Sequence, residues 1–194
     1  MAYPDYFVEF DHYTGGSLAE FATALNNCPR KPVGTVQIAE LCSMADYPHG
    51  VYLFFDDQGK SWYVGKATSR SFVERVPSHF DQRQDTWFNT LPTLIMRVCK
   101  TSTYLDALAR GLSLHLVLVG VRDKKTAARV ERVLRAYLNP KLNAILGRQY
   151  TGQEPMSSLA ARPCPVRQRH VCEKWLPGWM PNCMWQSLQS LWRS

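Results

Sequence analysis

Two tyrosines, Tyr52 and Tyr63, lie in strand-like runs on either side of the loop Asp56-Asp57-Gln58-Gly59. The runs are rich in β-branched and aromatic residues, and a glycine stands where a short loop needs positive φ. Residues 50–65 therefore read as a β-hairpin. Closing the loop on Phe55 and Lys60 pairs Leu53 with Trp62 and Tyr52 with Tyr63. Alternation then gives a core face of Val51, Leu53, Phe55, Trp62 and Val64. Both tyrosines share the other face, with Gly65 and Lys66 at the strand end. Such a pair is either a cross-strand contact contributing up to about 1 kcal/mol to the sheet, or two phenols set out for chemistry. Further along, Arg75 and His79 stand four apart, a spacing that shares one face of a regular helix. Pro77 between them should kink or end that helix. Glu131 is the one acid among Lys124, Lys125, Arg129, Arg132 and Arg135. It suits an i,i+4 bridge to Arg135, contributing about 0.3–0.5 kcal/mol, or a divalent cation, which takes hard oxygen ligands.

The elements that must hold these groups follow from pattern. Residues 1–16 are aromatic and acidic and read as irregular chain or an edge strand. Ser17-Leu-Ala-Glu20 is a capping box, followed by Leu18, Phe21, Ala22 and Leu25 at helical spacing. A second short helix is expected from about Gln37 to Met44. After the hairpin, a helix is expected from about Ser71, burying Phe72, Val73, Val76 and Phe80. Residues 81–112 read as an insertion, with a strand over Thr93–Cys99 and a short helix over Thr103–Gly111 stopped by its glycine. Leu114–Gly120 is apolar enough for a central strand. Lys124–Leu138 is the strongest helix, with Ala127, Val130, Val133, Leu134, Tyr137 and Leu138 as its apolar stripe and Asn139-Pro140 as its end. From Gly147 to about His170 the chain is rich in Pro, Gly, Ser and Arg, as in a linker or surface wrap.

The 194 residues suit one domain with decorations, and 45% apolar content suffices for a core. No apolar run is long enough for a membrane span. The N-terminus lacks the basic-then-apolar order of a signal peptide, so a cytoplasmic protein without membrane contact is expected. Six cysteines without a Cys-x-x-Cys read as free thiols. Cys164, His170, Cys172 and Cys183 are candidate zinc ligands, although their spacing matches no standard finger. Four of the six tryptophans lie in residues 171–194, where Trp185, Leu188, Leu191 and Trp192 fit one helix face. A tail that apolar must cover its own domain or a partner subunit. The net charge of +7 is uneven: residues 1–50 hold 2 Lys or Arg against 6 Asp or Glu (net −4), and the rest hold 21 against 10 (net +11). A basic body suits a polyanion such as nucleic acid.

Together these pieces resemble the GIY-YIG nuclease family. Gly50-Val-Tyr52 and Tyr63-Val-Gly65 stand at hairpin spacing, followed in order by Lys66, Arg75, His79, Glu131 and Asn143. Val51 and Val64 replace the isoleucines that name the family. The hairpin-helix stretch is most similar to the N-terminal nuclease domain of the excision-repair protein UvrC, although the Gly65–Arg75 stretch is longer here. The resemblance covers about residues 46–146. It implies an α+β fold: a small, mostly antiparallel three-stranded sheet flanked by helices. Residues 1–46 would form an N-terminal helical extension, 47–146 the nuclease-like domain, and 147–194 a linker and Trp/Cys-rich tail.

The resemblance also implies a chemistry, the metal-dependent hydrolysis of nucleic-acid phosphodiesters, with DNA favoured. Glu131 would hold one Mg²⁺ or Mn²⁺. Tyr52 or Tyr63 would deprotonate or position the attacking water. A free phenol titrates near 10 and needs a cation beside it to act as a base near neutrality, a charge Lys66 would supply. Arg75 would grip the phosphate through its planar fork, His79 would serve proton transfer or phosphate binding, and Asn143 would support the site. A second possibility is a nucleic-acid-binding module that keeps the fold without catalysis. Cutting both strands of a duplex would need two visits or two chains, which leaves a homodimer open, as the tail leaves a protein partner open.

Overall fold

The hairpin closes as its loop residues dictate. In this computed structural model, β3 (His49–Phe55) and β4 (Ser61–Ala67) are antiparallel neighbours. The Asp56 N–H donates to the Lys60 carbonyl at 3.0 Å, and Gly59 has φ of 78°. The described residues are 3–81, 90–101, 103–143, 150 and 152–157. They fall within one unit, Met1–Arg162; a second unit, Pro163–Ser194, lies outside them. The zinc candidates Cys164, His170, Cys172 and Cys183 and the tryptophan-rich tail helix lie outside the described residues, as does most of the linker.

The hairpin register differs from expectation. Phe54 pairs with Tyr63 but Phe55 pairs with Ser61, so Trp62 is an extra residue in β4, a β-bulge. The cause is the Asp56 carboxylate, which accepts from the Gln58 and Lys60 N–H groups and from Trp62 Nε1 at 2.9 Å. This pulls Trp62 off the expected core face and onto the face of Tyr52 and Phe54. It also slides the register, so Tyr52 pairs with Gly65 and Leu53 with Val64.

β5 (His115–Val121) runs antiparallel to β3, so β4, β3 and β5 form the expected antiparallel trio. The sheet does not stop there. β1 (Phe7–Glu9) pairs parallel with β5, and β2 (Lys31–Pro32) pairs antiparallel with it. Among the described residues the sheet is therefore five-stranded and mixed, not three-stranded. The reason lies in β5, whose residues from Leu116 to Val121 are buried throughout. A strand sunk that deep needs hydrogen-bond partners on both edges, and the N-terminal segment supplies the outer one.

Each sheet face carries its own helices. α1 (Leu18–Asn27), started by the Ser17–Glu20 capping box, and α6 (Lys124–Leu138), capped by Asp123, cover Val51, Leu53, Val64, Val117 and Val119. Met156 joins that core, and Leu18 N–H donates to the Glu154 carbonyl at 2.9 Å, so this part of the chain wraps back on α1. The opposite face carries Tyr52, Phe54, Leu116 and Leu118. It is covered from α2 (Ile38–Cys42), α3 (Phe72–Arg75), α4 (Leu91–Cys99) and α5 (Tyr104–Ser113) by Leu41, Phe72, Leu91, Ile95 and Ala107. α4 corrects the strand expected over Thr93–Cys99. Leu91 and Ile95 are four apart and both buried, and Pro92 in the first turn favours a helix start. α5 runs through Gly111, which packs close to Phe80 instead of ending the helix. Cys28, Cys42 and Cys99 are free thiols. Among the described residues no helix is long and apolar enough to cross a membrane.

Gly50 shows how the helices dock. A Cβ there would lie 2.2 Å from the Val119 carbonyl oxygen and 2.3 Å from the Phe72 ring. The missing side chain is the seat for Phe72, and so for α3. Gly50→Ala is expected to destabilise the fold by about 2 kcal/mol or more, read from the urea midpoint. A midpoint equal to wild type would contradict this packing.

Candidate active site

Tyr52 is fully buried, and its ring lies over Gly65. A Cβ at Gly65 would stand 2.3 Å from the Tyr52 hydroxyl oxygen. The bulge-shifted register creates this arrangement, because it sets the ring opposite the one residue of β4 that leaves room for it. Tyr63 is on the same face and half-buried, its ring stacked on Tyr52 with centroids 6.2 Å apart. The two phenols are close enough to act on each other electrostatically.

Pro77 decides where His79 goes. α3 ends at Arg75, and the chain continues as a 3₁₀ turn over Pro77–Phe80. The helix ends at the proline, as expected, so Arg75 and His79 do not share one regular helix face. His79 turns inward, is buried, and places Nε2 2.5 Å from the Tyr52 hydroxyl. Arg75, at the end of the helix that Phe72 anchors, lies close enough for its charge to bear on both phenols. Burial pushes both phenols above their ordinary range, and the Arg75 charge pulls each of them back down.

Glu131 arrives from the other side. The α6 stripe of Ala127, Val130 and Leu134 packs on the face opposite the tyrosines. Glu131 flanks that stripe and is only 7% exposed. Its Oε1 accepts from Arg135 at 3.0 Å, and its Oε2 lies 3.6 Å from Lys66 Nζ. Because β4 is an edge strand, the charges of Glu131 and Arg135 still bear on Tyr63. Alternation sends Lys66 to the α6 side of β4, so it meets Glu131, while Arg75 and Arg135 are the cations that act on Tyr63. Asn143 closes the same edge. Its Oδ1 accepts from the Val64 N–H at 2.7 Å and its Nδ2 donates to the Val64 carbonyl at 3.1 Å. With Leu142 N–H donating to the Trp62 carbonyl at 2.8 Å, it extends β4 like a further strand. Asn143 thus positions Tyr63 and Gly65 through the backbone residue between them.

The sequence-based list omits one member, Arg135. Its signal was present as the i,i+4 spacing from Glu131, which reads equally well as an ordinary helix-surface bridge. Among the described residues no group of three or more His, Cys, Asp or Glu side chains comes together. A lone carboxylate still suits Mg²⁺, which commonly takes one or two carboxylates and fills its other positions with water and substrate phosphate. Glu131 fits that pattern: Arg135 fixes Oε1, and Oε2 stands beyond hydrogen-bond length from Lys66. No protein-family model, no curated protein and no solved structure matches the chain.

Burial, with the Arg75 charge adding to it, pushes the His79 imidazole down from 6.5 to about 3. The folded protein holds the ring neutral where the unfolded chain protonates it. Between those values the unfolded state binds more protons, so stability falls as pH drops below about 6.5. His79→Gln is expected to flatten that limb of the stability curve by on the order of 1 kcal/mol per pH unit. Urea midpoints measured between about pH 7 and about pH 4 read it out against this same limb. Parallel curves for wild type and variant would contradict a buried neutral imidazole.

Proposed function

We propose that this chain is a divalent-metal-dependent endonuclease of the GIY-YIG type that hydrolyses nucleic-acid phosphodiesters, with DNA the favoured substrate. One observation carries the reading. Around β4, a half-buried phenol lies within the fields of Arg75, Arg135 and Glu131, and its neighbour Tyr52 is backed by His79. These residue types match the needs of phosphodiester hydrolysis: a water-activating base, a cation for the phosphate, and a hard-oxygen ligand.

Glu131 would hold the metal, one ion per site. When bound, Mg²⁺ or Mn²⁺ supplies Lewis-acid stabilisation of the scissile phosphate and of the leaving 3′-oxygen. Arg75 binds a non-bridging phosphate oxygen and offsets the charge that grows in the transition state. Tyr63, the less buried phenol, meets the attacking water. The neutral imidazole matters here because it can donate. With its proton on Nε2, His79 donates to Tyr52, which leaves the Tyr52 hydroxyl proton free to point toward the Tyr63 side. Burial and the Glu131 charge hold the Tyr63 phenol above its ordinary range, Arg75 and Arg135 offset part of that, and a cation held at Glu131 would have to supply the rest. The phenolate takes the water's proton as the water oxygen attacks phosphorus, the P–O3′ bond breaks, and the departing 3′-oxygen takes a proton from solvent. The products are a 5′-phosphate and a 3′-hydroxyl.

A plasmid-nicking assay with Mg²⁺ or Mn²⁺ tests the reading. Glu131→Gln and Arg75→Ala are each expected to cut the rate by about 10²-fold or more, with circular dichroism unchanged. Activity untouched by both substitutions would refute the site. Salt-sensitive duplex binding without cleavage under any divalent metal would favour a binding module that keeps the fold.

A further inference from the structure

We infer that the solvent face of α6 is the track along which the backbone of a nucleic-acid duplex lies as it leaves the cleavage site. This rests on the nuclease reading above and adds a surface to it. Opposite the buried stripe of Ala127, Val130, Val133 and Leu134, α6 carries Lys125 and Arg132, both exposed, and Arg129, half-buried. At 3.6 residues per turn these three cations fall within about 60° of one another. The α6 residues between them on this side, Ala128 and Ala136, are small. The helix's one carboxylate, Glu131, is turned off this face toward Lys66 and Arg135. Asp123 stands at the far end, at the N-cap, close to Lys125.

Length and direction fit the partner. From Lys125 to Arg135 the helix advances about 15 Å. One strand of B-form duplex places about four phosphates along that distance, at about 3.4 Å of axis each. Arg132 and Arg135 lead from the stripe to the Glu131 carboxylate, so a strand gripped in the site continues onto the stripe. A membrane surface fits poorly. A helix that lies on lipid buries an apolar face in it, whereas the apolar stripe of α6 is spent on its own core.

The test is fluorescence anisotropy of a duplex of about 20 base pairs, in EDTA to silence turnover, over a range of salt. Lys125→Gln/Arg129→Gln is expected to lower the slope of log K against log salt by about 2, close to 0.9 per lost phosphate contact. The exposed pair at the C-terminal end of α4, Arg97→Gln/Lys100→Gln, removes the same charge elsewhere and is expected to leave the slope unchanged. An unchanged slope in the α6 pair would overturn the track, as would equal losses in both pairs. So would a wild-type chain that ignores duplex yet binds vesicles of anionic phospholipid. Nicking that persists in the α6 pair with an unchanged slope defeats the track alone; a wild type that never nicks defeats the nuclease reading.

Discussion

The Tyr52 ring rests on a strand position that has no side chain, and much of the candidate site is arranged by that contact. With Gly65 beneath it, the ring lies flat enough for Tyr63 to stack alongside, and its hydroxyl reaches a buried imidazole. Gly50 repeats the device: it receives Phe72, which fixes α3 and delivers Arg75. The two glycines of the motif are thus receptors for aromatic rings. A methyl group in either place would meet an atom at less than 2.5 Å. The rings cannot settle elsewhere without moving the arginine or the phenols.

A second constraint is that β4 ends the sheet. A central strand would keep a helix on one face electrically remote from phenols on the other. At the edge, Glu131 and Arg135 act on Tyr63 from the α6 side, and Asn143 completes the hydrogen bonds that the open edge would otherwise leave to water. Position in the sheet, as much as the identity of the side chains, assembles acid, cation and phenol.

Local chemistry was the legible part. The Ser17–Glu20 capping box, the Lys124–Leu138 helix and the strand near 115–121 follow from patterns contained in a few residues. What escaped depends on distant partners or on competition. The register turned on a single carboxylate, Asp56, drawing Trp62 into a bulge. Thr93–Cys99 has strand-like composition, but Leu91 and Ile95 bury together only on a helix. β1 falls where residues 1–16 read as irregular chain or an edge strand, but its parallel pairing with β5 depends on a distant partner. Of the site, the residues Tyr52, Tyr63, Arg75, His79, Glu131 and Asn143 could be named. The burial of His79 and the part played by Arg135 could not, since a turn after Pro77 and a bridge across α6 take their meaning from what packs beside them.

The proposed nuclease requires Glu131, on the α6 side of β4, to offer a carboxylate oxygen to a cation that reaches Tyr63 and Arg75 around the sheet edge. Anomalous scattering from a crystal soaked in Mn²⁺ tests this most directly. The account predicts a peak about 2.1 Å from Glu131 Oε2, with the Lys66 ammonium displaced and Arg135 still on Oε1. A manganese ion bound elsewhere, with Glu131 still held between Lys66 and Arg135, would contradict it.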